Sequence, residues 1–274
     1  MPQVTVGVSL KTYFGHERAA AWFLDVARRA AAHPAVASGA VRFFVIPTYL
    51  QIPAALEAFA GTAVLVGAQD VSEYEPGAYT GEVTAPELAE VGVAVAEIGH
   101  AERRRLFGET DEVIAAKTAM ALRHGVTPVL CVGESEPLAP TDAAAATVAQ
   151  LEADLADAPA GPIIVAYEPV WAIGAPAPAP VEHIVAVARA VRATLALPDR
   201  ASSVVIYGGS AGPGLLAELG EAVDGLFLGR SAHDVEALLS VLDEAEAVAR
   251  EPGSSRSSSE ERSDATKRVQ ESRA

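Results

Sequence analysis

The run Ala166-Tyr-Glu-Pro-Val-Trp-Ala-Ile-Gly174 sets one carboxylate, Glu168, between a β-branched stretch and a proline-flanked loop that carries a large aromatic residue. A carboxylate at the end of an apolar strand, beside a loop able to cover it, is placed to act as a general base. A second apolar run, Val93 to Ile98, ends on His100 and the polar cluster Glu102-Arg-Arg104, which supplies an electrophile. Val4 to Val8 leads through Ser9 to a cation, Lys11. Two later runs end in Tyr207-Gly-Gly-Ser210 and Leu228-Gly-Arg230, where glycines bare backbone N–H groups suited to a phosphate. Taken singly, each has a plainer reading: a strand-end glutamate paired with a neighbouring cation, a structural histidine, a surface lysine, a tight turn. Together they gather polar chemistry at five strand ends.

Short Val/Ile/Leu-rich runs, alternating with Ala-rich stretches, must hold these residues in place. Strands are expected near 4–9, 41–46, 63–68, 93–98, 126–131, 162–167, 203–207 and 224–228. Helices are expected over 18–32, 111–124, 142–155, 181–195 and 232–249, where apolar residues recur with a period near 3.6. Strand–helix alternation gives parallel strands, and eight such units close most naturally into a (β/α)8 TIM barrel, whose active sites lie at the strand C-terminal ends. The expected fold is therefore α/β, with one barrel domain over residues 1–250. An open doubly wound sheet is the alternative, but it would bring a glycine-rich fingerprint after the first strand, where this chain has a lone Gly15. From Glu251 onward Ser, Arg and Glu replace apolar residues, so 251–274 read as a disordered tail. Ala175-Pro-Ala-Pro-Ala-Pro180 is locally stiff and follows Gly174, where a lid would hinge.

With 274 residues, half of them hydrophobic, the chain can bury a sizeable core. A net charge of -16 disfavours nucleic acid as a partner, though a small phosphorylated ligand needs only local N–H groups and one cation. The single cysteine, Cys131, allows no internal disulfide and no Cys-cluster metal site, which fits a reducing cytoplasm. No apolar run approaches membrane length and the N-terminus lacks a secretory pattern, so no membrane association is expected.

Five collinear segments resemble the triosephosphate isomerase family: Tyr167-Glu-Pro-Val-Trp-Ala-Ile-Gly174, Ile98-Gly-His-Ala-Glu-Arg-Arg104, Leu130-Cys-Val-Gly-Glu134, Gly77-Ala-Tyr-Thr-Gly-Glu82 and Tyr207-Gly-Gly-Ser210. The resemblance implies aldose–ketose isomerisation of a small phosphosugar through an enediol, with no metal or cofactor. It assigns Glu168 as base, His100 as a neutral electrophile whose pKa a helix N-terminus lowers, Lys11 as the cation for the developing oxyanion and Glu102 as the partner of Lys11. Ser9, Gly174, Ser210, Gly229 and Arg230 correspond to substrate and phosphate positions, while Glu134 and Arg103 read as structural pairs at loop bases. It also implies a homodimer through residues 69–82, with Thr80 near the partner's lysine. Four positions depart from the family pattern. Ser9 replaces an asparagine, Ala101 a serine, Ala175-Pro176 the Thr-Gly end of the lid, and Arg230 a phosphate-loop glycine; the Arg230 side chain is expected to point outward. These changes admit a slow triosephosphate isomerase or a paralogue acting on a larger ketose such as a tetrulose phosphate. A catalytically weak or silent phosphometabolite-binding homologue is the reading from another class; retention of Lys11, His100 and Glu168 argues against it.

Overall fold

Eight parallel strands close on themselves in sequence order: β1 (Val4–Ser9), β2 (Val41–Ile46), β3 (Leu65–Ala68), β4 (Val95–Ile98), β5 (Thr127–Val132), β6 (Ile164–Tyr167), β7 (Val204–Tyr207) and β8 (Gly225–Leu228). The computed structural model describes residues 4–250; the tail expected at 251–274 lies outside the described residues. Closure is made by β1, which pairs with β2 on one side (Val4 with Val41) and with β8 on the other (Thr5 with Gly225). At that seam residue 225 has φ +154°, and a Cβ there would lie 1.7 Å from the Thr5 carbonyl oxygen, so only glycine lets the backbones meet.

Two apolar layers follow from the period-2 alternation of strand side chains. Inward residues, among them Phe44, Val95, Val129, Ile164, Ile206 and Phe227, fill the barrel interior. Outward ones such as Val6, Ala96 and Val165 pack beneath the helices. Phe44 reaches across to β1 because residue 7 has no side chain: a Cβ on Gly7 would fall 2.1 Å from the Phe44 ring. In β4, Ala96 and Ile98 face the helices, which turns Val95 and Glu97 inward.

The helices are α1 (His16–Arg29), α2 (Pro34–Ala37), α3 (Ile52–Ala58), α4 (Ala85–Val91), α5 (Ala101–Phe107), α6 (Asp111–Arg123), α7 (Pro140–Asp154), α8 (Val181–Thr194), α9 (Leu215–Leu219) and α10 (Val235–Arg250). The five long ones match the expected periodic stretches to within a few residues. α2, α3, α4 and α9 were not expected from periodicity, since four to seven residues give at most two turns. Tertiary packing stabilises such short helices, and proline starts three of them.

Candidate active site

The strand C-terminal ends open into one pocket of about 540 Å³, inside the roughly 300–1,000 Å³ usual for small-molecule sites. Ser9, Lys11, His100, Glu102, Glu168, Gly174, Ser210, Gly229 and Arg230 all line it, so the topology brings together every site residue expected from the sequence.

Lys11 opens the turn after β1 with φ 47°, a left-handed conformation that an L-residue holds only when its surroundings fix it. Gln69 supplies part of that fixing by donating from Nε2 to the Lys11 carbonyl at 2.8 Å. The ammonium lies 2.7 Å from His100 Nε2 and 3.3 Å from Glu102. Burial alone would lower its pKa, but Glu97, Glu168 and Glu102 together raise it, so Lys11 remains a cation.

His100 is the N-cap of α5, and its Nδ1 accepts the backbone N–H of Glu102 at 3.1 Å. A neutral ring so bonded carries its proton on Nε2. Burial, aided by the Lys11 charge, lowers the imidazole pKa to about 3. The helix start also selects the tautomer through the bond to Nδ1. Nε2–H and Nζ are then two donors facing each other at 2.7 Å, a repulsive contact that a single oxygen accepting from both would relieve.

Glu168 follows β6 and is nine-tenths buried, with Oε2 3.4 Å from His100 Nε2 and without a hydrogen-bond partner among the described residues. Burial drives its pKa up to about 8; Lys11 opposes the shift while Glu97 and Glu102 add to it. Ala101, where the family has a serine, offers it no hydroxyl. Glycines bracket the residue from both neighbouring strands. A Cβ on Gly208 would sit 2.3 Å from Glu168 Oε1, and one on Gly133 would sit 2.1 Å from the Glu168 carbonyl oxygen.

Gly174, Ser210, Gly229 and Arg230 meet on the far side of the pocket, across the loops after β6, β7 and β8. The Ser210 hydroxyl does not face the pocket as an anion donor; its Oγ lies 2.8 Å and 2.9 Å from the carbonyls of Ala172 and Ala175, tying the lid to the β7 loop. Its backbone N–H is what remains for a ligand. Arg230 is exposed, and its Nη2 donates to the Gly174 carbonyl at 3.4 Å, at the hinge. Glu134 accepts from Tyr167, Trp171 and His183, while Arg103 pairs with Asp70 and Glu109, the structural roles expected of both. In the 69–82 loop, residues 74–82 are exposed, with Tyr74 and Tyr79 stacked at 4.0 Å.

Glu97 was not among the expected site residues, although it lines the pocket. It sits inside an apolar run, where a carboxylate reads as an interruption. The signal available was alternation: Val95 and Glu97 fall on one face of the strand and Ala96 and Ile98 on the other.

Residues 4–245 match the family described as Triosephosphate isomerase. The chain is 47% identical over 250 residues to an L-erythrulose-1-phosphate isomerase of Pectobacterium atrosepticum, covering 89% of this chain and 96% of the relative. It is 39% identical over 254 residues to a triosephosphate isomerase of Thermus thermophilus, covering 88% and 98%. It is 40% identical over 251 residues to an L-erythrulose-1-phosphate isomerase of Rhizobium etli, covering 87% and 91%. Among the described residues no helix is long and apolar enough to cross a membrane.

Proposed function

Since the chain belongs to the triosephosphate isomerase family, we propose that it isomerises a small phosphosugar through an enediol, with Glu168 moving the carbon-bound proton. The observation that carries this reading is the Glu168–His100–Lys11 constellation: a desolvated carboxylate beside two donors that converge on one point. Glu168 removes a proton from the carbon next to the carbonyl and returns it to the neighbouring carbon. His100 Nε2–H and Lys11 Nζ hold the oxygen on which negative charge develops, and Glu102 orients Lys11. Backbone N–H groups around Gly174, Ser210 and Gly229 hold the phosphate. The lid tied down by Ser210 keeps water from the enediol.

Two substrates fit this chemistry, a triose phosphate and a tetrulose phosphate. The higher identity to an L-erythrulose-1-phosphate isomerase and the short Ser9 in place of the family's asparagine favour the four-carbon ketose. The protruding loop at 69–82 supports a homodimer in which Thr80 approaches the neighbouring Lys11; a monomer at micromolar concentration with full turnover would sink that assembly. The low cysteine content and the absence of a membrane-length helix among the described residues support a cytoplasmic setting.

The decisive experiment incubates the protein in deuterium oxide with dihydroxyacetone phosphate and, separately, with L-erythrulose 1-phosphate, and follows carbon-bound deuterium by NMR. Isomerisation through an enediol labels the carbon that receives the proton. Binding of both compounds with no label in either would identify a silent phosphometabolite binder instead.

A further inference from the structure

Glu97 is a carboxyl group in a place the isomerisation above does not use. It is 3% exposed, projects inward from the end of β4 and forms part of the pocket floor. Its Oε2 accepts the Ser9 hydroxyl at 2.7 Å, the only hydrogen bond it makes among the described residues. Among the described residues no cation pairs with it; Lys11 acts on it only at a distance, and burial outweighs that attraction in raising its pKa. Below it the barrel interior is apolar, filled by Phe44, Val95 and Phe227. A carboxyl here costs the fold desolvation that one serine hydrogen bond repays only in part. That cost points to a ligand group for the second oxygen, Oε1.

Position says which part of a ligand that is. In a closed eight-stranded barrel β4 stands across the axis from β8, so the backbone of Glu97 lies opposite Gly229 and Arg230, and its carboxyl reaches inward to Ser9 at the end of β1. A phosphosugar with its phosphate at the β7 and β8 loops and its reacting carbons at Glu168 and His100 extends its remaining end towards Glu97. Dihydroxyacetone phosphate has little left to extend. A tetrulose 1-phosphate is the same molecule with a hydroxymethyl replacing one hydrogen on the carbon that loses its proton. In that substrate C1 carries the phosphate ester, so the enediol spans C2 and C3. The proton leaves C3 for Glu168 and returns to C2, and the carbonyl emerges at C3, giving a second ketose with atoms and charge conserved.

Resting on the isomerase reading above, we infer that Glu97 and Ser9 form a hydroxyl-binding subsite in which Glu97 Oε1 hydrogen-bonds the terminal hydroxymethyl of a four-carbon ketose phosphate. Ser9 contributes twice: its small side chain leaves room for the extra carbon, and its hydroxyl occupies Oε2 so that Oε1 is directed at the ligand.

The test compares kcat/KM for wild type, Glu97→Gln and Glu97→Leu on L-erythrulose 1-phosphate and on dihydroxyacetone phosphate, with thermal melts to confirm folding. Glu97→Leu should lose roughly 10- to 100-fold on the four-carbon substrate, the range for a lost hydrogen bond to a charged or strongly polar group. Loss of the Glu97 charge near Lys11 and Glu168 acts on both substrates alike, so the readout is the ratio of the two kcat/KM values, which should move roughly 10- to 100-fold against the four-carbon substrate, since the triose carries no hydroxymethyl to be held. Glu97→Gln keeps an acceptor for Ser9 and a polar group for the ligand, and should fall between wild type and Glu97→Leu; it also serves if Glu97→Leu does not fold. Equal losses on both substrates, or none on either, would overturn the subsite while leaving the isomerase intact. A wild-type protein active only on the triose overturns it too, and one inactive on both removes the isomerase reading and the subsite together.

Discussion

Glu134 and Glu168 are both buried carboxylates on adjacent loops of one barrel, and they are treated in opposite ways. Glu134, after β5, receives the Tyr167 hydroxyl, the Trp171 indole N–H and the His183 imidazole, with Thr147 at 3.5 Å. Glu168, after β6, keeps an oxygen without a hydrogen-bond partner among the described residues and has its pKa raised to about 8 by burial. The saturated one binds the loops after β5 and β6 to α8; the unsatisfied one is left basic and reactive. The contrast teaches that at the mouth of this barrel the count of donors around a carboxylate, more than its burial, separates structure from chemistry.

The sharpest way to break the comparison is Glu168→Gln. Turnover on the better phosphosugar should fall by roughly 10²- to 10⁴-fold, the usual worth of a general base, and His100→Ala should fall within the same range. Stability should move the other way. The folded pKa lies above the ordinary glutamate value of 4.5, so this group's contribution to the fold is complete below that pH and is lost as pH rises through about 8. Glu168→Gln should therefore melt above wild type at pH 9; a lower melting temperature would mean that the ionised carboxylate is satisfied after all.

Glu134→Ala should do the reverse. It orphans the Tyr167, Trp171 and His183 donors and should cost on the order of 3 kcal/mol in a denaturant titration. An unchanged denaturation midpoint would place Glu134 outside the structural role. The pH profile sharpens the difference further: kcat/KM reports the free enzyme, so it should drop about tenfold per pH unit below about 8 as Glu168 protonates. A profile flat from pH 6 to 9 would remove Glu168 as the titrating base.

Smaller effects are expected at the phosphate end. Ser210→Ala frees the lid from the β7 loop and should raise KM severalfold, consistent with the loss of one hydrogen bond worth about 1 kcal/mol. The smallest change is expected from Arg230→Gly, whose exposed side chain donates to the Gly174 carbonyl; phosphosugar KM should stay within about twofold, as for a solvent-exposed contact. A large loss confined to phosphorylated ligands would make Arg230 a direct phosphate ligand.

The strands were legible because each is a run of β-branched and aliphatic residues bounded by glycine or polar clusters, and the pocket because those clusters all fall at C-terminal ends. The short helices after β2, β3 and β7 were not, since one or two turns show no period. The side-chain directions were also hidden. Ser210 resembles a phosphate ligand in sequence, yet its φ of 53° turns the hydroxyl to the lid carbonyls, a backbone conformation that no residue type announces. Glu97 stayed hidden for a topological reason: its meaning depends on which face of β4 points inward and on which strand lies opposite, and neither is local.

The glycines bracketing Glu168 limit how the protein can change over generations. No side chain fits at 208 without displacing Oε1, nor at 133 without displacing the Glu168 backbone, so all three positions can vary only in concert. In a saturation-mutagenesis library selected for turnover, positions 133 and 208 should tolerate replacement as poorly as 168 itself, although neither carries a functional group. Ser9 and Glu97, free of such a bracket, are where a lineage can drift to a new substrate while its proton-transfer chemistry stands still.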